Sequence, residues 1–291
     1  DMAISRANFE NIPIHLVSSV PSIETFNNIR KKKYRHIKIE KRFENYPLPE
    51  TKVINLNLEK IKNKFIANET ISLVEKFLNK GEQVLFFINR RGFAPYLICK
   101  NCGYKLVCPN CSMYLTFHKI KNKAICHHCS FEKKIKTKCK LEKMCDFIMY
   151  GPGVEKIFEE VIKIFPSNKV EIFSSDHMKR KDQTKSLFSR IMDNKVDILI
   201  GTQMISKGFN FPKLNCIVVI DADFSGRGYD LRTTEKNIQL YHQLSGRAGR
   251  FSSDSLIIYQ TLSPEDATLN ELIKNNSEKL LKKELILRKN N

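Results

Sequence analysis

Residues 198–208 read ILIGTQMISKG: an apolar run of strand length that stops on Gly201-Thr202-Gln203 and leads to Lys207-Gly208. A continuous apolar run suits a strand buried on both faces. Glycine at its carboxyl end lets a backbone approach a ligand closely, the usual place for sites in parallel sheets. Working outward, strands are predicted at Lys52–Leu56, Gln83–Asn89, Val170–Phe173, Val196–Gly201, Cys216–Asp221 and Leu256–Gln260. Helices are predicted between them, at Thr70–Leu78, Val154–Phe165, Lys179–Met192 and Thr233–Leu244. Gly81 suits a left-handed turn after the first of these helices. In the second, Val154, Ile157, Phe158, Val161, Ile162 and Phe165 share one helical face. Strands alternating with helices imply βαβ units, hence an α/β fold with a parallel sheet covered on both sides.

Two stretches flank this alternation. Residues 1–50 do not read as a complete domain. A strand is predicted over Ile12–Val20 and a short helix over Ile23–Arg30, followed by a basic run, Lys31–Arg42, and an extended Tyr46-Pro47-Leu48-Pro49. From Pro264 onward a charged helical tail carries Leu269, Leu272, Ile273, Leu280 and Leu281. The apolar fraction of 42% argues against wholesale disorder. No apolar run approaches the roughly 18 residues a membrane span needs, and no secretory leader pattern is present. A formal charge of +19 points to a polyanionic partner, because Lys and Arg on phosphates release counterions. A composition that fills surface positions with lysine by default is the competing reading.

Eight of the nine cysteines lie between Cys99 and Cys145. The pattern is Cys99-x2-Cys102, Cys108-x2-Cys111, Cys126-x2-Cys129, then Cys139 and Cys145. Two intervening residues let both sulfurs of a pair reach one tetrahedral ion, so the block is expected to hold two zinc ions, with an iron–sulfur cluster as the rival. Cys139 and Cys145 are spaced more widely than a standard knuckle, and Glu142 stands where a CxxC partner would fall. Cys145 is favoured as the ligand, with Glu142 oxygen ligation or a degraded site as the alternatives. His118, His127 and His128 are read as surface or packing residues. The block holds eleven lysines against two acidic residues, a formal +9. Two zinc ions on eight thiolates leave it at about +5. Among the aromatics Tyr104, Tyr114, Phe117 and Phe131, two or more are expected to form a small core, and the basic surface suits a nucleic-acid backbone. The block enters after one strand and leaves before one helix, where an insertion does not disturb a sheet.

Residues 243–250 read QLSGRAGR at the end of a predicted helix. Arg247 and Arg250 carry permanent forked charges that fit a transferring phosphoryl group. LFFINRRGFAP (Leu85–Pro95), the cysteine block, YGPGVEKIFEEV (Tyr150–Val161), ILIGTQMISKGFNFP and QLSGRAGR follow one another in the order found in the PriA family of primosomal replication-restart DNA helicases. The chain resembles that family, within superfamily 2, over nearly its whole length.

The resemblance implies a RecA-like second motor lobe, in two parts at 51–98 and 146–265, interrupted by the zinc module at 99–145. Residues 1–50 would be a remnant of the first lobe plus linker, and 266–291 a helical tail. It implies ATP-driven 3′-to-5′ unwinding of branched or forked DNA at stalled forks, in the cytoplasm at the nucleoid, with primosome proteins and single-strand-binding protein as partners. By matched position Gly201, Thr202, Gln203, Lys207 and Gly208 couple nucleotide to DNA, while Gln243, Gly246, Arg247 and Arg250 are catalytic, Arg250 as arginine finger. The family's pairing assigns Cys99, Cys102, Cys139 and Cys145 to one zinc, and Cys108, Cys111, Cys126 and Cys129 to the other. LVSSVPSIET (Leu16–Thr25) resembles the family's third motif, with Val17 and Val20 in place of its glycine and threonine. Neither a GxxxxGK[ST] phosphate loop nor a DExH motif occurs in the 291 residues. Asp221 and Asp223 fall where the family has two aspartates in this lobe and are not counted as a metal site. We therefore expect a fragment without the ATP-binding lobe, bound to ATP and Mg²⁺ only alongside that lobe and inactive as an ATPase alone. A non-catalytic, zinc-dependent DNA- or protein-binding fragment is the alternative.

Overall fold

The computed structural model describes residues 2–39, 45–58, 65–89, 96–99, 104, 106–110, 115–118, 123–126, 129–134, 147–150, 153–174, 181–203, 211–223 and 232–290. Six strands form one parallel sheet: β1 (Glu50–Asn55), β2 (Gln83–Phe87), β8 (Val170–Phe173), β9 (Ile198–Gly201), β10 (Leu214–Val219) and β11 (Leu256–Thr261), ordered β1-β11-β10-β2-β9-β8. β2, β10 and β11 are buried at every position, as their unbroken apolar runs require. Successive side chains point to opposite faces. Val84, Phe86 and Ile88 therefore pack with α3 (Asn68–Leu78) and α4 (Val154–Ile164), through Val74, Phe77, Ile157 and Val161. Leu85 and Phe87 pack on the other side with α5 (Lys181–Met192), α6 (Thr233–Ser245), α7 (Ala267–Ile273) and α8 (Ser277–Asn290). Ile162 departs from the expected apolar face of α4 and is 41% exposed. It lies beyond the stripe that Ile157 and Val161 bury.

The N-terminal segment differs from expectation. After α1 (Met2–Phe9), residues 12–18 form no strand, and Ile12, Ile14, Leu16 and Val17 are exposed. Alternating apolar residues become a strand only beside a hydrogen-bonding neighbour, and none of the described strands pairs with them. The expected helix does form, as α2 (Ile23–Arg30), with the Ser22 hydroxyl accepting the Thr25 N–H. Val20, Ile23 and Phe26 enter the core, and the buried Glu235 carboxylate on α6 accepts both the Ile23 N–H at 3.3 Å and the Arg288 guanidinium of α8 at 3.1 Å. The tail folds as α7 and α8, burying Leu269, Leu272, Leu280, Leu281 and Leu285. No helix among the described residues is long and apolar enough to cross a membrane.

One polar side chain inside the apolar core holds two elements together. Gln260, fully buried on β11, accepts the Ala67 N–H at 2.9 Å and the Thr70 hydroxyl at 2.7 Å, and donates to the Phe65 carbonyl at 2.8 Å. It caps the start of α3 with a side chain remote in sequence, since Ala67 at the N-cap has none to offer. Gln260→Leu should destabilise the chain by about 2–4 kcal/mol in urea denaturation, because the buried Ala67 N–H and Thr70 hydroxyl and the half-buried Phe65 carbonyl lose their partner. A change below about 0.5 kcal/mol would contradict that account.

Candidate functional site

The cysteine block folds on a second, antiparallel sheet ordered β6-β5-β4-β3-β7: β3 (Tyr96–Cys99), β4 (Thr116–His118), β5 (Lys123–Ile125), β6 (Glu132–Lys134) and β7 (Phe147–Tyr150). The entering strand β3 pairs along its length with the departing strand β7, from Tyr96 opposite Tyr150 to Cys99 opposite Phe147. The insertion is thus closed at its base, and the register irregularity of the parallel sheet, between Leu214 and Cys216 beside the amino end of β2, lies at the far end of that strand from it.

Within it Cys108, Cys126 and Cys129 converge, their sulfurs all within 4.8 Å of one another and those of Cys108 and Cys129 3.5 Å apart. Tetrahedral thiolates at about 2.3 Å from zinc sit about 3.8 Å from each other, so these three sulfurs fit one ion. Cys111 lies outside the described residues, as do Cys102, Cys139, Cys145 and Glu142. The knuckle is shaped by its backbone. The Cys126 N–H donates to the Phe131 carbonyl at 2.8 Å and the Ser130 N–H to the Cys126 carbonyl at 3.0 Å, with Ser130 at φ +59°. Cys99 repeats the first of these bonds, donating to the carbonyl of Tyr104, also five residues on, at 2.8 Å. Tyr104 and Phe131 pack against Leu97, Leu106, Leu115 and Ala124, giving the expected small core. The ninth cysteine, Cys216, is buried on β10, and that burial pushes its thiol pKa far up, so it stands apart as a packing residue.

Gly201, Thr202 and Gln203 sit at the carboxyl end of the parallel sheet. Gly201 closes β9 between Phe87 and Phe173, and Thr202 is buried. The Gln203 amide donates to Asn89 Oδ1 at 3.0 Å, and Asn89 donates onward to Asn237 Oδ1 on α6 at 3.1 Å. Tyr241, one turn along α6, also hydrogen-bonds Asn89. Burial first, then the nearby Asp221 charge, hold its hydroxyl pKa well above the ordinary tyrosine range. Lys207 and Gly208 lie outside the described residues. Asp223 caps the end of β11, accepting from the Thr261 hydroxyl at 2.5 Å and from the Leu262 and Ser263 N–H groups at 3.2 Å.

The arginine turn lies at the opposite end of the strands. Gln243 is exposed in the last turn of α6, and Gly246 is its C-cap. Arg247 and Arg250 are half-buried, with Arg250 Nε donating to the Gly246 carbonyl at 3.1 Å. Burial, and then the charge of Arg250, lower the pKa of Arg247. Gly249, at φ +62°, donates its N–H to the Leu214 carbonyl at the amino end of β10. The described residues of the two motifs therefore lie at opposite ends of the sheet. One helix of thirteen residues, about 20 Å long, links them, tied to Gln203 through Asn89 near its start and running into the arginine turn at its end. The sequence marked neither Asn89 nor Asn237; the only signal was a polar residue closing the apolar run of β2.

Residues 117–252, which hold the glycine-ended strand β9 and the helix-borne arginine turn, match the family model of the helicase conserved C-terminal domain. The chain belongs to the PriA family of replication restart proteins. It is 38% identical over 292 residues to PriA of Rickettsia conorii, covering 99% of this chain and 45% of that protein. PriA of Haemophilus influenzae is 35% identical over 288 residues (99% and 39%), and that of Bacillus subtilis 33% over 267 residues (91% and 33%). The chain spans less than half the length of these relatives. Among solved structures it is similar to RecG bound to a three-way DNA junction, with a TM-score of 0.49 and 13% identity over 92% of this chain and 26% of that one.

Proposed function

We propose that this chain supplies the second motor lobe and zinc module of an ATP-dependent helicase that moves 3′ to 5′ on DNA and restarts stalled forks. Its partners would be branched or forked DNA, primosome proteins and single-strand-binding protein, in the cytoplasm at the nucleoid. The observation that carries this reading is α6. It gives Gln203 and the arginine turn one rigid body, so a change of nucleotide contact at Arg250 and Arg247 would be felt at the sheet end where Gly201, Thr202, Gln203, Lys207 and Gly208 would meet DNA. Gln243 and Gly246 would place the arginines, and Arg250 would stabilise charge on the transferring phosphoryl group.

Cys108, Cys126, Cys129 and Cys111 would hold one zinc, and Cys99, Cys102, Cys139 and Cys145 a second. Zinc supplies the cross-link that a core this small cannot replace. ATP and Mg²⁺ require a phosphate loop and an acidic motif, and these 291 residues contain neither sequence. The purified chain should therefore bind a fluorescein-labelled fork, with affinity falling as salt rises, and should show no DNA-stimulated phosphate release. ATP turnover above a zinc-stripped blank, or a fork affinity indifferent to salt, would overturn the reading.

A further inference from the structure

Five helices of this chain end alike. In α1, α2, α3, α5 and α7 the last turn closes with a pair of bonds. The N–H of one residue returns to a carbonyl three back, and the next N–H reaches a carbonyl five back. The residue between them must adopt left-handed backbone. At four of these turns it is Asn11, Gly81, Asn194 or Asn275, with φ between +51° and +71°. Glycine has no Cβ to clash, and asparagine tolerates the region through its short polar side chain. At the end of α2 it is Lys32, φ +57°, with Lys32 N–H on the Ile29 carbonyl and Lys33 N–H on that of Asn28. Lysine has neither advantage there, and its exposed side chain gains no packing.

What surrounds it is also unusual. Arg30, Lys31, Lys32, Lys33 and Arg35 are all exposed, and none makes an ion pair among the described residues. Other surface lysines do pair, Lys123 with Glu132 and Lys282 with Glu278 among them. Five like charges on one short turn repel each other. A cation near a helix C-terminus complements the helix dipole, but Lys31 and Lys33 supply that from unstrained backbone. The strained position is therefore held by a cation for something outside the chain. A regularly spaced polyanion is the partner that such a row of point charges suits.

We infer that the turn Arg30–Arg35 at the end of α2 is a contact for the DNA phosphate backbone, with Lys32 as its central charge. This rests on the reading of the chain as a DNA-acting motor lobe. The test is Lys32→Gly in the intact chain, followed by fluorescence anisotropy with a labelled fork across a salt series and by thermal unfolding. Fork affinity should fall several-fold at low salt, and the slope of log affinity against log salt should shrink by about one. The unfolding midpoint should stay level or rise, because glycine relieves the backbone. Adding Lys31→Gln and Lys33→Gln should deepen the loss of slope to about three. Unaltered affinity and slope in Lys32→Gly, beside an unaltered chain that does bind, would overturn the contact alone, as would a lowered midpoint, which would make Lys32 a structural residue. Failure of the unaltered chain to bind the fork would remove the DNA reading itself, and this contact with it.

Discussion

Cys126→Ala should lower the zinc content from about two ions per chain to about one and unravel β4, β5 and β6, while the parallel sheet stays folded. The size of the effect follows from how little else holds the insertion together. Among the described residues its buried apolar core is Leu97, Leu106, Leu115 and Ala124, beside the thiols of Cys108 and Cys126. Three leucines contribute about 5–9 kcal/mol when fully buried. Fixing one residue's backbone costs about 1–2 kcal/mol, and the insertion runs from Tyr96 to Tyr150. Structural zinc contributes about 10–16 kcal/mol where it is bound, so an ion held as proposed would decide whether this sheet exists. Hydrogen exchange should show Lys123–Ile125 losing protection while Leu214–Val219 keeps it, since no described strand of one sheet pairs with a strand of the other. Full zinc content in the variant, or exchange spreading equally into β10, would refute this. So would iron and sulfide in place of zinc.

The parts of the fold that could be read in advance are those that one local rule determines. The strands of the parallel sheet are runs such as VLFF and CIVV, buried on both faces, and no other element of that length wants so continuous an apolar composition. Gly81 and the apolar stripe of α4 were legible for the same reason, because one local rule determines each. The strands of the insertion are three or four residues long, and Lys123–Ile125 and Glu132–Lys134 carry lysines, so no periodicity announces them. Their pairing follows from where the thiolates must meet, which spacing gives only as pairs. The predicted strand over Ile12–Val20 shows the converse. Its alternation is real, but no described strand lies beside it. In the motor lobe the motif residues were visible as motifs, whereas Asn89, Asn237 and Gln260 act across 114 to 195 positions of sequence and leave no local trace.

Gly249 belongs to that second group, although it stands in plain view within GRAGR. The two glycines of that turn have opposite requirements. Gly246 has φ −70°, and a Cβ there would lie 3.4 Å from the Gln243 carbonyl, an ordinary contact. Gly246→Ala should change stability by no more than about 1 kcal/mol. At Gly249 a Cβ would sit 2.7 Å from the Cβ of the buried Ser255 and inside contact distance of its hydroxyl, on backbone already at φ +62°. Left-handed backbone costs an alanine about 1–2 kcal/mol and overpacking a further 1–3 kcal/mol, so Gly249→Ala should destabilise by about 2–5 kcal/mol in urea. Ser255 immediately precedes β11, so the clash either lifts the turn from the sheet or pushes the strand, and in both cases Arg247 and Arg250 move. Ser255→Gly in the same chain should recover the packing part, roughly half of the loss, and leave the backbone part, a coupling that a double-mutant cycle reads directly. If Gly249→Ala were as stable as the unaltered chain, the turn would not be seated on β10 and β11 as described. The rigid connection from Gln203 through α6 to the arginines would then end at Ser245.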